Sequence, residues 1–265
     1  MDKLKGYCGA FVVGGVLGTV AFLIFNCYLM AGIQVVMAIT FMVYTMALIG
    51  GVLTIMGVYQ KVTKFGGMGA MMPMCGLSGG MAEYMIALRK DGLPSEKVLK
   101  MGLTAPLKIF AVCYGTALIL AIVAKFVNLE VVPPADSMDA VGFAPLITGF
   151  QAIGMFNAFL VSGVFCLVGQ VIFVNTKLDF VKIFMGCVVL GVILSATGVM
   201  SYITNFGSGG MFLSVIDAGE AAYLALKGLV LEGDLFNICR YTILVLGILV
   251  TGVACGFIAK KTAND

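Results

Sequence analysis

The chain has no charged residue between Lys5 and Lys61. A charge-free stretch of this length holds two helices of about 20 residues, the number that crosses a bilayer. The rest of the composition agrees, because 61% of the 265 residues are hydrophobic and only 11% are charged. A soluble domain cannot bury that much apolar surface. The sequence therefore predicts an all-α integral membrane protein that contacts the lipid bilayer.

Six segments with few or no charges are long enough to span the membrane. They lie at about 7–30, 35–58, 104–124, 150–174, 183–204 and 240–259. The first apolar run continues to Met30 without a convincing cleavage site, so we interpret it as a retained span and not as a signal peptide. Two further segments, at about 65–88 and 206–228, are apolar but interrupted by glycines, and each carries acidic residues.

The two halves of the chain carry the same patterns in the same order. "AFVVGG" (Ala10–Gly15) recurs as "AFLVSG" (Ala158–Gly163), "GVYQKVTKFGGMG" (Gly57–Gly69) as "GVMSYITNFGSGG" (Gly198–Gly210), and "AEYMIALRK" (Ala82–Lys90) as "AAYLALKG" (Ala221–Gly228). A tandem duplication explains these matches better than chance. We therefore divide the chain into a first repeat at 1–129, a Pro- and acid-rich linker at 130–149, and a second repeat at 150–265.

The basic residues decide whether the glycine-broken segments cross the membrane. If both segments return to the side they entered from, most Lys and Arg residues share the side of the N-terminus. If they crossed, Arg89, Lys90, Lys97 and Lys100 would lie on the opposite side, against the positive-inside rule. We therefore predict six transmembrane helices in two inverted three-helix repeats, each with one Gly-rich re-entrant segment. The same rule predicts a multi-pass membrane protein with both termini in the cytoplasm.

Three stretches of the sequence resemble a known family. They are "GVYQKVTKFGGMGAMMPMCGLSGGM" (Gly57–Met81), "NAFLVSGVFCLVGQVI" (Asn157–Ile172) and "ATGVMSYITNFGSGG" (Ala196–Gly210). They are similar to the bacterial stage V sporulation proteins of the AC and AE-b type (SpoVA), here as a fused tandem pair. The family signature has a Pro followed by a Thr-Gly-Phe-Asn-like turn. Here Cys75 and Leu77 replace the Thr and the Phe, Ser214 replaces the second Pro, and Asp217 stands in place of a Gly.

The resemblance implies an inner-membrane channel, passive or tension-gated, for dipicolinate, its calcium complex or another small anion. It also implies other SpoVA-type subunits, or further copies of the chain, as partners. Two alternatives remain open. The chain could be an ion-coupled secondary carrier in which Asp217 or Glu220 binds the coupling ion, or a structural subunit of a larger membrane complex.

Several residues of the broken segments are candidates for a pore or a binding site, because interrupted helices at matching positions mark such sites in inverted repeats. Asp217 and Glu220 lie one helical turn apart, and acids at membrane depth are costly. Lys108 and Arg240 lie near the start of the third span of each repeat and could attract an anion or snorkel to the headgroups. The full candidate set is Gly66, Gly67, Gly69, Pro73, Gly76, Ser78, Glu83, Lys108, Gly207, Gly209, Gly210, Asp217, Glu220 and Arg240. For the glycines, close helix packing is the alternative.

The sequence gives little support to catalysis or metal binding. It contains no His, the commonest general base and transition-metal ligand, and no nucleotide-binding GxxxxGK[ST] motif. The Met residues of "MMPMC" (Met71–Cys75) could bind copper(I), but packing explains them better. We expect no enzyme activity, no cofactor, no metal site and no nucleic-acid partner.

Overall fold

The computed structural model describes residues 2–127, 149–207 and 209–262, and the regular elements in these ranges are all α-helices. They are α1 (Asp2–Met30), α2 (Val35–Ile55), α3 (Tyr59–Gly66), α4 (Met68–Met71), α5 (Met74–Lys90), α6 (Ser95–Val127), α7 (Ala152–Asn175), α8 (Phe180–Ala196), α9 (Val199–Gly207), α10 (Gly209–Phe212), α11 (Val215–Glu232) and α12 (Leu235–Thr262). Among them, α1, α2, α6, α7 and α12 are each long and apolar enough to cross a membrane. The predicted all-α integral membrane fold is confirmed. The predicted linker lies outside the described residues except for Gly149.

The first helices of the two repeats, α1 and α7, pack against each other in opposite directions. A Cβ added at Gly14 would contact Cys166, whereas one added at Gly18 would contact Ser162. Residue numbers therefore rise along α1 as they fall along α7. The ends agree, because the side chain of Asn175, the last residue of α7, is hydrogen-bonded to Tyr7 near the start of α1.

The contact between α1 and α7 is also reciprocal. A Cβ at Gly15 would meet the ring of Phe159, and a Cβ at Gly163 would meet the ring of Phe11. The two rings pack edge to face, with centroids 5.5 Å apart. Matching residues of the two repeats thus make the same contact with each other, as a pseudo-twofold axis requires. Together with the opposite directions of α1 and α7, this arrangement makes the repeats inverted copies.

The helix ends define two faces of the bundle. We call the end where α1 begins and α7 ends the N-terminal face, and the other end the opposite face. The end of α5 lies beside the end of α12, because Arg89 donates a 2.8 Å hydrogen bond to the Phe257 carbonyl. The end of α11 lies beside the end of α6, where Lys125 reaches the Val230 carbonyl at 3.4 Å. Each broken segment therefore returns to the face from which it entered, α3–α5 to the N-terminal face and α9–α11 to the opposite face.

The third helix of each repeat packs against the broken segment of the other repeat. A Cβ at Gly252 of α12 would contact Ser78 and Met81 of α5. In the same way, Cys113 of α6 contacts the Ala218 carbonyl of α11 at 3.6 Å. The two repeats are therefore interlocked, and neither of them buries its own re-entrant helix without the other.

The predicted continuous fifth span at 183–204 is wrong. Helix α8 ends at Ala196, and α9 continues at an angle of 106° to it. The break falls at Gly198, whose φ of +75° favours glycine. Gly57 has the same conformation at the end of α2, with φ of +70°. Hydropathy did not reveal the break because α9 is as apolar as a span, although the match between Gly57 and Gly198 pointed to it.

Thiol labelling tests the inverted arrangement. Pro94 lies in the loop between α5 and α6 on the N-terminal face, and Asp234 lies between α11 and α12 on the opposite face. In a chain whose exposed Cys8, Cys27 and Cys239 are replaced by Ser, we introduce Pro94→Cys or Asp234→Cys. We expect a membrane-impermeant maleimide to label only one of the two in sealed, uniformly oriented vesicles. Labelling of both from the same side would contradict the inverted fold.

Candidate functional site

The breaks in the two re-entrant segments meet each other. Pro73 and Ser214 pair as an isolated antiparallel bridge, and the Met74 amide donates to the Leu213 carbonyl at 2.9 Å. Both residues precede a helix in the same extended conformation, with ψ of 153° for Pro73 and 151° for Ser214. The hydroxyl of Ser214 accepts a hydrogen bond from the Asp217 amide at 3.2 Å, which caps α11. Ser in place of Pro therefore preserves the break.

The glycines before these breaks pack against α1 and α7. A Cβ at Gly69 would clash with the Ala10 carbonyl oxygen, and a Cβ at Gly210 would clash with the equivalent oxygen of Ala158. One at Gly66 or Gly207 would lie 2.8 Å from the side chain of Val13 or Val161, respectively. Their identical surroundings confirm the structural equivalence of the segments, and the missing side chains allow the close packing.

The other small candidates of the broken segments also have protein neighbours. The φ of Gly67 is +50°, and the adjacent Met68 amide donates to Gln170 at 2.8 Å. Gly76 lies against carbonyl oxygens of α4, and Gly209 against the backbone of Phe22. The buried hydroxyl of Ser78 donates to the Ala47 carbonyl at 2.6 Å. None of the candidate glycines, nor Pro73 or Ser78, lines the cavity described next.

A cavity of about 130 Å³ lies between α2, α11 and α12. Its inner end reaches Met74 and Phe212, next to the meeting point of the two breaks. Its other end reaches Glu232, Asp234 and Asn237 at the opposite face. Its walls are apolar over most of their length, and include Val36, Ile39, Val43, Phe110, Leu224, Leu231, Leu244, Val245 and Ile248. The cavity thus extends from one face to the paired breaks.

Three residues predicted from the sequence come together in this cavity, namely Asp217, Glu220 and Arg240. The hydroxyl of Thr204 donates to Glu220 Oε2 at 3.0 Å. Asp217 interacts electrostatically with both Glu220 and Arg240. The guanidinium group of Arg240 donates to the Val36 carbonyl and to the Thr40 hydroxyl, each at 3.0 Å. This site combines two acids and a base within an apolar cavity.

Lys227 is a cavity residue that the sequence analysis did not select. It lies on α11 with only 5% of its surface exposed, and its Nζ atom is 5.7 Å from the centre of the Tyr223 ring. The signal that could have identified it is helical spacing. Positions 217, 220, 224, 227 and 231 follow one another at intervals of three or four residues, which places them on one face of a helix.

Two charged candidates lie elsewhere. Lys108 is exposed on the surface of α6 and does not line the cavity. Helix α6 begins at Ser95, so Lys108 lies far from the helix start, unlike Arg240 near the start of α12. Glu83 is half-buried on α5 and is also absent from the cavity wall. Among the described residues, no group of three or more His, Cys, Asp or Glu side chains could hold a metal ion.

The first repeat has no polar counterpart of the cavity site. Pro73 pairs with Ser214 just before α5 and α11 begin. Gly92 and Gly233, which both have a positive φ, follow the ends of these two helices. Both pairs are 141 residues apart, so the offset is constant along α5 and α11. The matched stretches at Ala82 and Ala221 suggested an offset of 139, which the geometry corrects. By the offset of 141, the positions of Asp217, Glu220 and Lys227 correspond to Gly76, Gly79 and Ile86.

Residues 6–126 match the model of the SpoVAC/SpoVAEB sporulation membrane protein family. The first repeat belongs to this family. The match relates the first repeat to sporulation membrane proteins, and the long apolar helices make the chain a multi-pass membrane protein that contacts the lipid bilayer. The match ends with the first repeat, so the fused tandem pair of SpoVAC/SpoVAEB units stays a prediction. The reciprocal contacts described above relate the second repeat to the first by structure. No curated protein and no solved structure matches the chain.

Proposed function

We propose that this protein is a channel or transporter for a small solute in the bacterial cytoplasmic membrane, and that the cavity beside α11 is its solute site. The supporting observation is the group of ionisable side chains inside an otherwise apolar cavity of a membrane protein. Such groups are costly in a membrane and are retained where they bind or move a solute or an ion. The cavity also ends at paired helix breaks, the usual place of substrate sites in inverted repeats.

The charges favour a small carboxylate, alone or with a metal ion, such as a calcium–dipicolinate-like complex. Basic groups bind carboxylates through charge-assisted hydrogen bonds, and Lys227 and Arg240 supply them. Carboxylate oxygens bind Ca²⁺, and Asp217 and Glu220 supply them. Because Ca²⁺ takes six to eight oxygen ligands, two protein carboxylates leave room for a cation that brings ligands of its own.

The distribution of charge favours one orientation of the cavity. Lys3, Lys5, Arg89 and Lys90 lie at the N-terminal face, which the positive-inside rule assigns to the cytoplasm together with both termini. The cavity then opens toward the outer side of the membrane and closes at the paired breaks. A solute would enter from that side and pass when the pairing of the breaks rearranges.

An ion-coupled carrier is the second candidate function. Asp217 and Glu220 favour it, because both line the cavity one helical turn apart on α11, and such a pair of acids can take up and release a proton as the solute passes. A third reading, a structural subunit among other SpoVA-type subunits or in a homo-oligomer, requires no flux from the chain alone. We propose transport, without catalysis, for the purified chain.

Reconstitution tests the transport function and its assignment to the cavity. We expect purified protein in liposomes to release trapped pyridine-2,6-dicarboxylate, with or without Ca²⁺, under osmotic tension or a concentration gradient. Ala221 lines the cavity, so Ala221→Phe should fill it and reduce the flux to the level of empty liposomes. Ala87→Phe adds the same volume at an exposed position of α5 and should keep the flux. Absence of flux from the wild type would favour the structural-subunit reading instead.

A further inference from the structure

Among the described residues, Lys227 lines the cavity without a hydrogen-bond partner for its ammonium group. Within the described residues, Arg240 donates to Val36 and Thr40, and Glu220 accepts from Thr204. The ammonium group of Lys227 donates no hydrogen bond, and its contacts are the ring of Tyr223 and the more distant charge of Glu232. An ammonium group has three donors, so this one is available to an acceptor inside the cavity.

Snorkelling does not account for the position of Lys227. A snorkelling lysine extends its charge into the headgroup region and leaves much of the side chain exposed. Lys125, at the end of the neighbouring helix α6, is exposed in this way. Lys227 is 95% covered by protein and lines the cavity. Holding an ammonium group inside an apolar cavity without a hydrogen-bond partner costs free energy, which a bound anion would recover.

Two charged cavity residues of α11, Glu220 and Lys227, lie on the same face of the helix. Glu220 lies near the inner end and Lys227 nearer the opposite face, and seven residues of helix place them about 10 Å apart along the axis. Leu224 lies between them along α11, and Ile39 and Leu244 also line the cavity. Apolar walls join two charged ends: Arg240 lies with Asp217 and Glu220 at the inner end, and Lys227 is the basic group nearer the opposite face, where Glu232 and Asp234 also line the cavity.

We propose that Lys227 binds a carboxylate group of the transported solute, whose apolar body lies against Leu224. The solute class is then a small carboxylate with an apolar ring or chain, entering with its body toward Glu220. That this solute is also transported rests on the proposed function. The binding itself does not depend on flux, and it is measured separately below.

Ligand-dependent thermal unfolding tests the assignment. The probes are benzoate and benzamide, which share a shape and differ in charge, added to the detergent-solubilised full chain. We expect benzoate to raise the apparent Tm of the wild type by several degrees through binding to the folded state, and benzamide to have no effect. For Lys227→Met, the benzoate concentration that gives the same rise in apparent Tm should be about 10- to 100-fold higher, which is the usual value of one charge-assisted hydrogen bond. Lys227→Arg should retain most of the effect.

Two further measurements separate a binding role from a structural one. Without ligand, Lys227→Met should keep or raise the apparent Tm, because it replaces a charge without a hydrogen-bond partner in an apolar cavity by an apolar side chain of similar length. Lys125→Met, at an exposed position, should leave the benzoate effect unchanged. A wild type that benzoate does not stabilise, or a Lys227→Met variant that responds as the wild type does, would overturn the proposal. Benzoate binding without solute flux would instead refute the transport function and leave the binding site intact.

Discussion

Replacing Gly191 by Ala should lower the apparent Tm by roughly 2–12 °C. A Cβ at Gly191 of α8 would fall well inside the van der Waals radius of the Ile216 carbonyl oxygen of α11. Neither atom belongs to a flexible side chain, so the two helices would have to separate. Overpacking of this kind costs about 1–3 kcal/mol, and each kcal/mol corresponds to about 2–4 °C in a chain of this size.

Gly186 on the same helix provides the matched control. A Cβ there would have no neighbour within 4 Å, so Gly186→Ala should leave the apparent Tm unchanged or raise it, since Ala favours helix more than Gly. By the pseudo-symmetry, Gly50→Ala should resemble Gly191→Ala, because its Cβ would clash with the Cys75 carbonyl. Equal apparent Tm values for the Gly191→Ala and Gly186→Ala variants, measured by fluorescence-detected unfolding in one detergent, would contradict the close contact of α8 and α11.

These glycines show what the sequence could predict of the fold. Hydropathy and charge predicted the spans other than the fifth, the inverted repeats and the return of both broken segments, because the cost of charge in a membrane is a local property of sequence. Which glycine contacts which helix could not be predicted, since Gly186 and Gly191 look alike in sequence. The packing of α6 and α12 into the opposite repeats also leaves no mark in the hydropathy pattern, because both faces of these helices are apolar.

The site was only partly predictable, for a related reason. Asp217, Glu220 and Arg240 were selected because charge in an apolar segment is costly wherever it lies. Lys227 escaped because a lysine near a helix end is ordinarily explained by snorkelling, and only the fold shows that protein covers it. Pro73 and the candidate glycines were selected for breaking helices. The structure shows that they bring the two breaks together, while the cavity wall comes from side chains of α2, α11 and α12.

Removing both carboxylates of the cavity, as Asp217→Asn with Glu220→Gln, should reduce solute flux in liposomes by about 100-fold or more. Each replacement removes a charge-assisted interaction with a cation or a proton, and such interactions are worth about 1.5–3 kcal/mol each. The amides keep the shape of the side chains, and Gln at 220 can still bond to Thr204. The apparent Tm should therefore change little, and the loss of flux would report on charge.

Glu83→Gln is the matched control for the carboxylate pair, because Glu83 also lies on a re-entrant helix but does not line the cavity. It should keep the wild-type flux.

Measurements with and without an imposed pH gradient then distinguish the two transport mechanisms. For a channel, the double variant should lose flux equally under both conditions, since the carboxylates act on the solute itself. For a carrier, residual flux should persist but no longer respond to the gradient, because the carboxyl pair supplies the coupling proton site. Full flux with intact pH coupling in the double variant would remove Asp217 and Glu220 from the mechanism.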